Sequence, residues 1–118
     1  MESNEARERL EEERARIEGL VREKRHELEN ENESEAAELA HYDQHPADSA
    51  TDTFEREKDL SILDGLEAEL AEIEAAIARI EHGTYGIDEV TGKPIDPARL
   101  EAIPEARTNV DSIPGRGR

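Results

Sequence analysis

The chain has 118 residues, a formal net charge of −17, 40% charged and 34% hydrophobic residues, and no cysteine. This composition excludes a large globular core, disulfides, thiolate zinc sites and cysteine nucleophiles. It also argues against binding DNA or an anionic membrane, both of which need a basic surface.

A basic protein surface or cleft is the expected partner. No apolar run is long enough for a signal peptide or a membrane span, so a soluble, cytoplasmic protein is expected. The charge is uneven. Residues 1–82 carry 26 acidic and 10 basic side chains, while residues 83–118 carry six and five. The division falls at Gly83, giving an acidic segment over residues 1–82 and a nearly neutral one over residues 83–118, which splits into a small base at 83–113 and a tail at 114–118. The tail ends Gly115-Arg116-Gly117-Arg118 and reads as flexible.

Leu10, Ile17, Leu20, Val21, Leu28 and Leu39 recur at mostly helical spacings, which predicts a first helix over 4–42. Ser3 is its expected N-cap, and Glu5 suits the positive helix end. Asn32 and Glu35 interrupt the apolar face.

His41-Tyr42-Asp43-Gln44-His45-Pro46-Ala47-Asp48 follows. Pro46 disfavours helix at His45, so a tight reversal is expected at about 43–49. His41 and His45 have the spacing of a metal-ligand pair, with Asp43 and Asp48 nearby. The proline interrupts any helix there, so a surface pair is the preferred reading.

A second helix is predicted from near Ser49 to Gly83. Ser49 and Asp52 match a capping box, and Gly83 can take the left-handed conformation that ends a helix. Within it, Leu63, Leu66, Leu70, Ile73, Ile77 and Ile80 are spaced 3, 4, 3, 4, 3, a heptad seam. A short link between two amphipathic helices implies an antiparallel coiled-coil hairpin, with arms of roughly 50 Å at ~1.5 Å per residue.

Beyond Gly83, the 84–88 stretch predicts a short strand, 90–94 a turn, and Ile95 a second strand. Asp96 followed by Pro97 signals the start of a short helix. The fold class is therefore mainly α, with a small α+β base.

Ten acidic residues and no lysine or arginine lie between Glu27 and Glu55. An ordinary solvated coiled coil mixes signs. A single-sign stretch repels itself and points to a basic destination, solubility alone being the alternative. No Ser-His-Asp arrangement, phosphate-binding glycine loop or paired-carboxylate pocket is legible, so no enzyme activity and no cofactor are expected.

The order of His45-Pro46-Ala47-Asp48-Ser49-Ala50, Phe54-Glu55-Arg56-Glu57-Lys58-Asp59, Gly83-Thr84-Tyr85-Gly86-Ile87, Gly92-Lys93-Pro94-Ile95 and Ala98-Arg99-Leu100-Glu101-Ala102-Ile103-Pro104 resembles the TraR/DksA family of zinc-finger transcription factors. The family's finger holds zinc with two CxxC pairs. Here those positions are Asp88, Thr91, Asn109 and Ser112, which do not suit structural zinc. They suit turns held by side-chain-to-backbone bonds, with Asp88 bonding the amide of Val90 or Thr91. A metal-free finger-like base is the expectation. Tyr85, Ile87, Val90, Ile95, Leu100 and Ile103 should then pack against Ile73, Ile77 and Ile80.

Members of the family bind RNA polymerase, with the coiled coil in the secondary channel and acidic tip residues near the catalytic centre. The resemblance implies RNA polymerase as partner for a bacterial transcription regulator, acting as a monomer without binding nucleic acid directly. The family's tip motif has two aspartates three apart and an alanine two residues on. Asp48 and Ala50 match the second aspartate and the alanine, while His45 stands at the first. The implied partner-binding tip comprises Asp43, His45, Asp48, Ala50 and Asp52, although Asp48 also fits a helix cap. The alternative function is an interaction module of the same fold binding another basic protein.

Overall fold

A computed structural model describes the backbone at residues 2–41 and 46–112, and side chains at 2–30 and 53–112. Two long helices, α1 (Ser3–His41) and α2 (Pro46–Glu81), pack as a hairpin. A short helix α3 (Pro97–Ala102) and a 3-10 turn (Val110–Ser112) follow. The chain divides into two compact units, one of residues 1–16 and 70–118, the other of residues 17–69. No helix among the described residues is long and apolar enough to cross a membrane.

Both helix starts differ from the sequence expectation. The Ala6 amide donates to the Glu2 carbonyl at 2.9 Å, so Glu2 takes the capping position and Ser3 lies in the first turn. α2 begins at Pro46, not near Ser49. Proline lacks an amide that the first turn would leave unbonded, and its fixed φ is already helical. Ala47 and Asp48 are thereby drawn into the helix, and Ser49 and Asp52 cannot form a cap.

The stop at Gly83 is as expected. Gly83 has φ 75°, its amide donates to Ile80, and the Thr84 amide donates to Arg79 at 2.9 Å. This pair of bonds satisfies carbonyls that the helix end would otherwise leave open. A ring nitrogen of His82 bonds the Ala78 carbonyl at 2.7 Å, adding a further donor at the negative end.

In the unit of residues 1–16 and 70–118, Ala6, Leu10, Ile73, Ala76 and Ile77 are buried. Arg7 and Glu81 approach to 4.0 Å, placing the start of α1 beside the end of α2. In the unit of residues 17–69, Ile17, Val21 and Leu28 are buried. Leu63 and Leu66 are half-buried. Leu20, expected on the apolar face, is exposed, because the face follows the 17, 21, 28 spacing and leaves Leu20 on its flank.

The finger-like base has less β structure than the spacing suggested. One antiparallel bridge, Ile87 with Pro94, replaces the two short strands among the described residues. The amide of Asp88 donates to Lys93 and that of Ile95 to Gly86, each at 2.8 Å. The turn between them closes through Gly92, at φ 72°, where a side chain would be strained. Asp96 caps α3 through a 3.0 Å bond from the Ala98 amide.

Ile95, Leu100 and Ala106 form the core of the base, with Tyr85 packed against it. Ile87, Val90 and Ile103 are exposed, contrary to expectation. The turn is wound around the Asp88 carboxylate, which takes the inward place and leaves its neighbours outside. Ala106, and not these three, joins Ile95 and Leu100 in the core.

Candidate functional site

Asp88 is the one buried charged residue recorded among the described residues, 1% exposed. Burying a carboxylate costs several kcal/mol unless its oxygens are bonded, and here both are. Oδ1 accepts from the amides of Val90 at 2.8 Å and Thr91 at 3.1 Å. Oδ2 accepts from the Asn109 amide at 2.9 Å and the Ser112 hydroxyl at 2.6 Å. The Ser112 bond above all, then the amides of Asn109, Thr91 and Val90, holds the Asp88 carboxyl far below the ordinary carboxylate range despite its burial.

The four positions where the resemblance places zinc ligands therefore do meet, but around a carboxylate. Thr91 also accepts from the Lys93 amide at 3.2 Å. Asn109 fastens the facing segment, accepting from the Asp96 amide at 2.8 Å and donating to the Pro94 carbonyl at 3.1 Å. This set does not fit zinc. Its one anionic group has both oxygens filled by protein donors, and the amide and hydroxyl groups are engaged as hydrogen-bond partners. Among the described residues no three His, Cys, Asp or Glu side chains gather where they could hold a metal ion.

Side-chain bonds also fasten the base to α2. Arg107 makes a two-pronged contact with Glu72, at 2.7 and 3.2 Å, and reaches Glu89 at 2.8 Å. Arg79 donates to the Glu105 carbonyl at 3.1 Å, and within the base the Tyr85 hydroxyl donates to the Pro104 carbonyl at 2.9 Å. An open groove of about 320 Å³ lies beside the Asp88 cluster. It mixes Lys93 and Arg99 with Asp96 and Asp111, so no charge sign dominates it.

Asp43 and His45 lie outside the described residues. Asp48, Ala50 and Asp52 fall within the first turns of α2, and their side chains lie outside the described residues. Sequence reasoning missed the role of Asn109 as a fastener, and missed Arg107 and Ala106. It also missed a polar pair in the hairpin, Lys24 and Asp59. That pair had a signal: the 3, 4 spacing of the seam continues back from Leu63 to Asp59, and Lys24 lies between Val21 and Leu28.

Comparison with solved structures finds the same fold in the transcription factor DksA2 from Pseudomonas aeruginosa. The TM-score is 0.76 at 24% identity, over 92% of this chain and 78% of that one. In sequence, residues amounting to 56% of this chain are 39% identical to the RNA polymerase-binding transcription factor DksA of Caulobacter vibrioides, covering 46% of it. The chain thus has the DksA fold and resembles DksA in sequence over part of its length, but it contains no cysteine. A 72-residue stretch is 56% identical to the uncharacterized protein YteA of Bacillus subtilis, covering 30% of that protein. The chain thus spans less than half the length of these curated relatives. No protein-family model matches it. At the four positions where the resemblance places zinc ligands, one carboxylate gathers four protein donors.

Proposed function

We propose that the chain is a transcription regulator that binds RNA polymerase, placing an acidic coiled-coil tip in the basic secondary channel. The observation that carries this is the DksA-like fold, joined to the 39% match with a relative named for polymerase binding. Charge supports it, because ten acidic residues without a lysine or arginine occupy the 27–55 stretch. Such a stretch steers association with a basic cleft. The reading includes a monomer in the bacterial cytoplasm, acting on polymerase without catalysis and without its own contact to nucleic acid.

The tip residues would be Asp43, His45, Asp48, Ala50 and Asp52. Asp48 lies in the first turn of α2, where a carboxylate also favours the helix by roughly 0.3–1 kcal/mol. Asp48→Asn should therefore leave the fold intact while removing a charge from the tip. Binding to purified core polymerase, measured beside a transcription assay, tests both levels. The expected result is salt-sensitive binding by both proteins, with the effect on transcription reduced more than binding in Asp48→Asn. Wild-type protein that neither binds nor alters transcript yield would sink the reading.

His45 at the first tip-acid position favours the second reading, an interaction module that binds another basic protein. Recovery of such a protein from cell extract, without polymerase subunits, would select it.

A further inference from the structure

The seam between the arms is not apolar throughout. In the unit of residues 17–69, Lys24 occupies the seam position between Val21 and Leu28, and Asp59 the one four residues before Leu63. Lys24 Nζ lies 3.4 Å from Asp59 Oδ1 across the arms and 2.9 Å from Glu27 on its own helix. The two side chains are only 20% and 17% exposed, whereas the cross-arm pair Arg25–Glu67 at 2.7 Å is 58% and 41% exposed. Lys24 and Asp59 are thus drawn into the interface, and Arg25 and Glu67 decorate its rim.

The same unit has apolar surface to spare. Leu20, Leu60 and Ile62 are exposed, and Leu63 and Leu66 are half-buried. A heptad seam that is open at its edges can pair with a helix of another chain as well as with its own. Pairing with a second copy in a displaced register would cover leucine with leucine at little cost. It would, however, separate a half-buried lysine from its aspartate. Truncating one partner of such a pair strands the other charge away from water, which is unfavourable even where the intact pair adds little stability.

We propose that Lys24 and Asp59 form a polar lock that commits the two arms to one register and denies the seam to out-of-register pairing with a second copy of this chain. The lock disfavours out-of-register pairing because only the native register gives Asp59 its lysine, whereas Lys24 keeps Glu27 on its own helix in any register. Its evidence is independent of whether the chain binds polymerase, so failure of the polymerase reading leaves it standing and testable by itself.

The test uses the full chain and four proteins: wild type, Lys24→Leu, Asp59→Leu and the double variant. Molecular mass is measured by light scattering over a range of concentrations, with thermal melting by circular dichroism. Wild type is expected at the monomer mass of 13.3 kDa. Each single variant should melt below it. The double variant should regain the lost melting temperature or exceed it, and should move to twice the monomer mass as concentration rises. A double variant that stays monomeric throughout overturns the proposal, as does a wild-type dimer. Single variants that melt with wild type overturn it as well. Should the double leucine variant lose its helical signal, Lys24→Ala with Asp59→Ala is read by the same criteria.

Discussion

The hairpin and the base solve the same problem by different means. The arms are held by repetition: Leu10, Ile17, Val21, Leu28, Ile73 and Ile77 are buried because their spacing returns them to one face. The base is too small for that, with Ile95, Leu100 and Ala106 as its core. It is specified by individual bonds, four of them ending on Asp88. A repeating interface tolerates one altered surface position, whereas a bonded cluster depends on each member. A small domain without disulfides needs some such staple, and here it is a carboxylate.

The largest effect is expected at Ile77, on the repeating side of this contrast. It is 6% exposed, and Ile77→Asp places an unpaired charge in the apolar face. The expected loss is about 3 kcal/mol or more, seen as a large fall in melting temperature. Glu69→Gln, on an exposed position of the same helix, should stay within about 0.5 kcal/mol of wild type. Similar melting of the two variants would contradict the helix-face assignment.

Asp88 comes next. Asp88→Asn keeps the size of the side chain but loses an anionic acceptor for four donors, and should lower the melting temperature of the base. The pH dependence has a definite sign. The folded-state pKa is depressed, so this contribution is present above the ordinary carboxylate pKa of about 3.9 and is lost as pH falls below it. Denaturant midpoints of wild type should fall more steeply with acid than those of Asp88→Asn. Parallel acid limbs would show that Asp88 carries no such linkage.

Smaller effects sharpen the contrast. Tyr85→Phe removes the bond to the Pro104 carbonyl and should cost about 0.5–1.5 kcal/mol by denaturant unfolding. Arg107→Met removes contacts to Glu72 and Glu89 whose side chains are about half exposed, at 46% and 45%. Its cost should be about 1 kcal/mol or less and should fade in high salt, because water and ions screen exposed pairs.

These differences explain what the sequence could reveal. Periodic burial is written in spacing, so the two helices, the seam around Ile73 and Ile77, and the stop at Gly83 were legible. The asparagine-and-aspartate chemistry of turns also foretold the bonds from Asp88 to Val90 and Thr91. Helix starts were less legible, since Pro46 and Ser49 both carry start signals and only the fold decides between them. The exposure of Ile87 and Val90 was hidden, because it follows from which way one turn winds around a carboxylate. The Lys24–Asp59 pair is written only in the continuation of the 3, 4 spacing, because both seam positions there carry charged rather than apolar side chains.

The central claim is that Asp88 and its donors hold the base in the place where the family resemblance puts zinc. It is tested most directly on protein prepared with zinc present, by metal content per chain and by melting with and without a chelator. The account predicts no stoichiometric metal and the same melting temperature in both conditions. One zinc per chain, or a melting temperature lowered by the chelator, would contradict it.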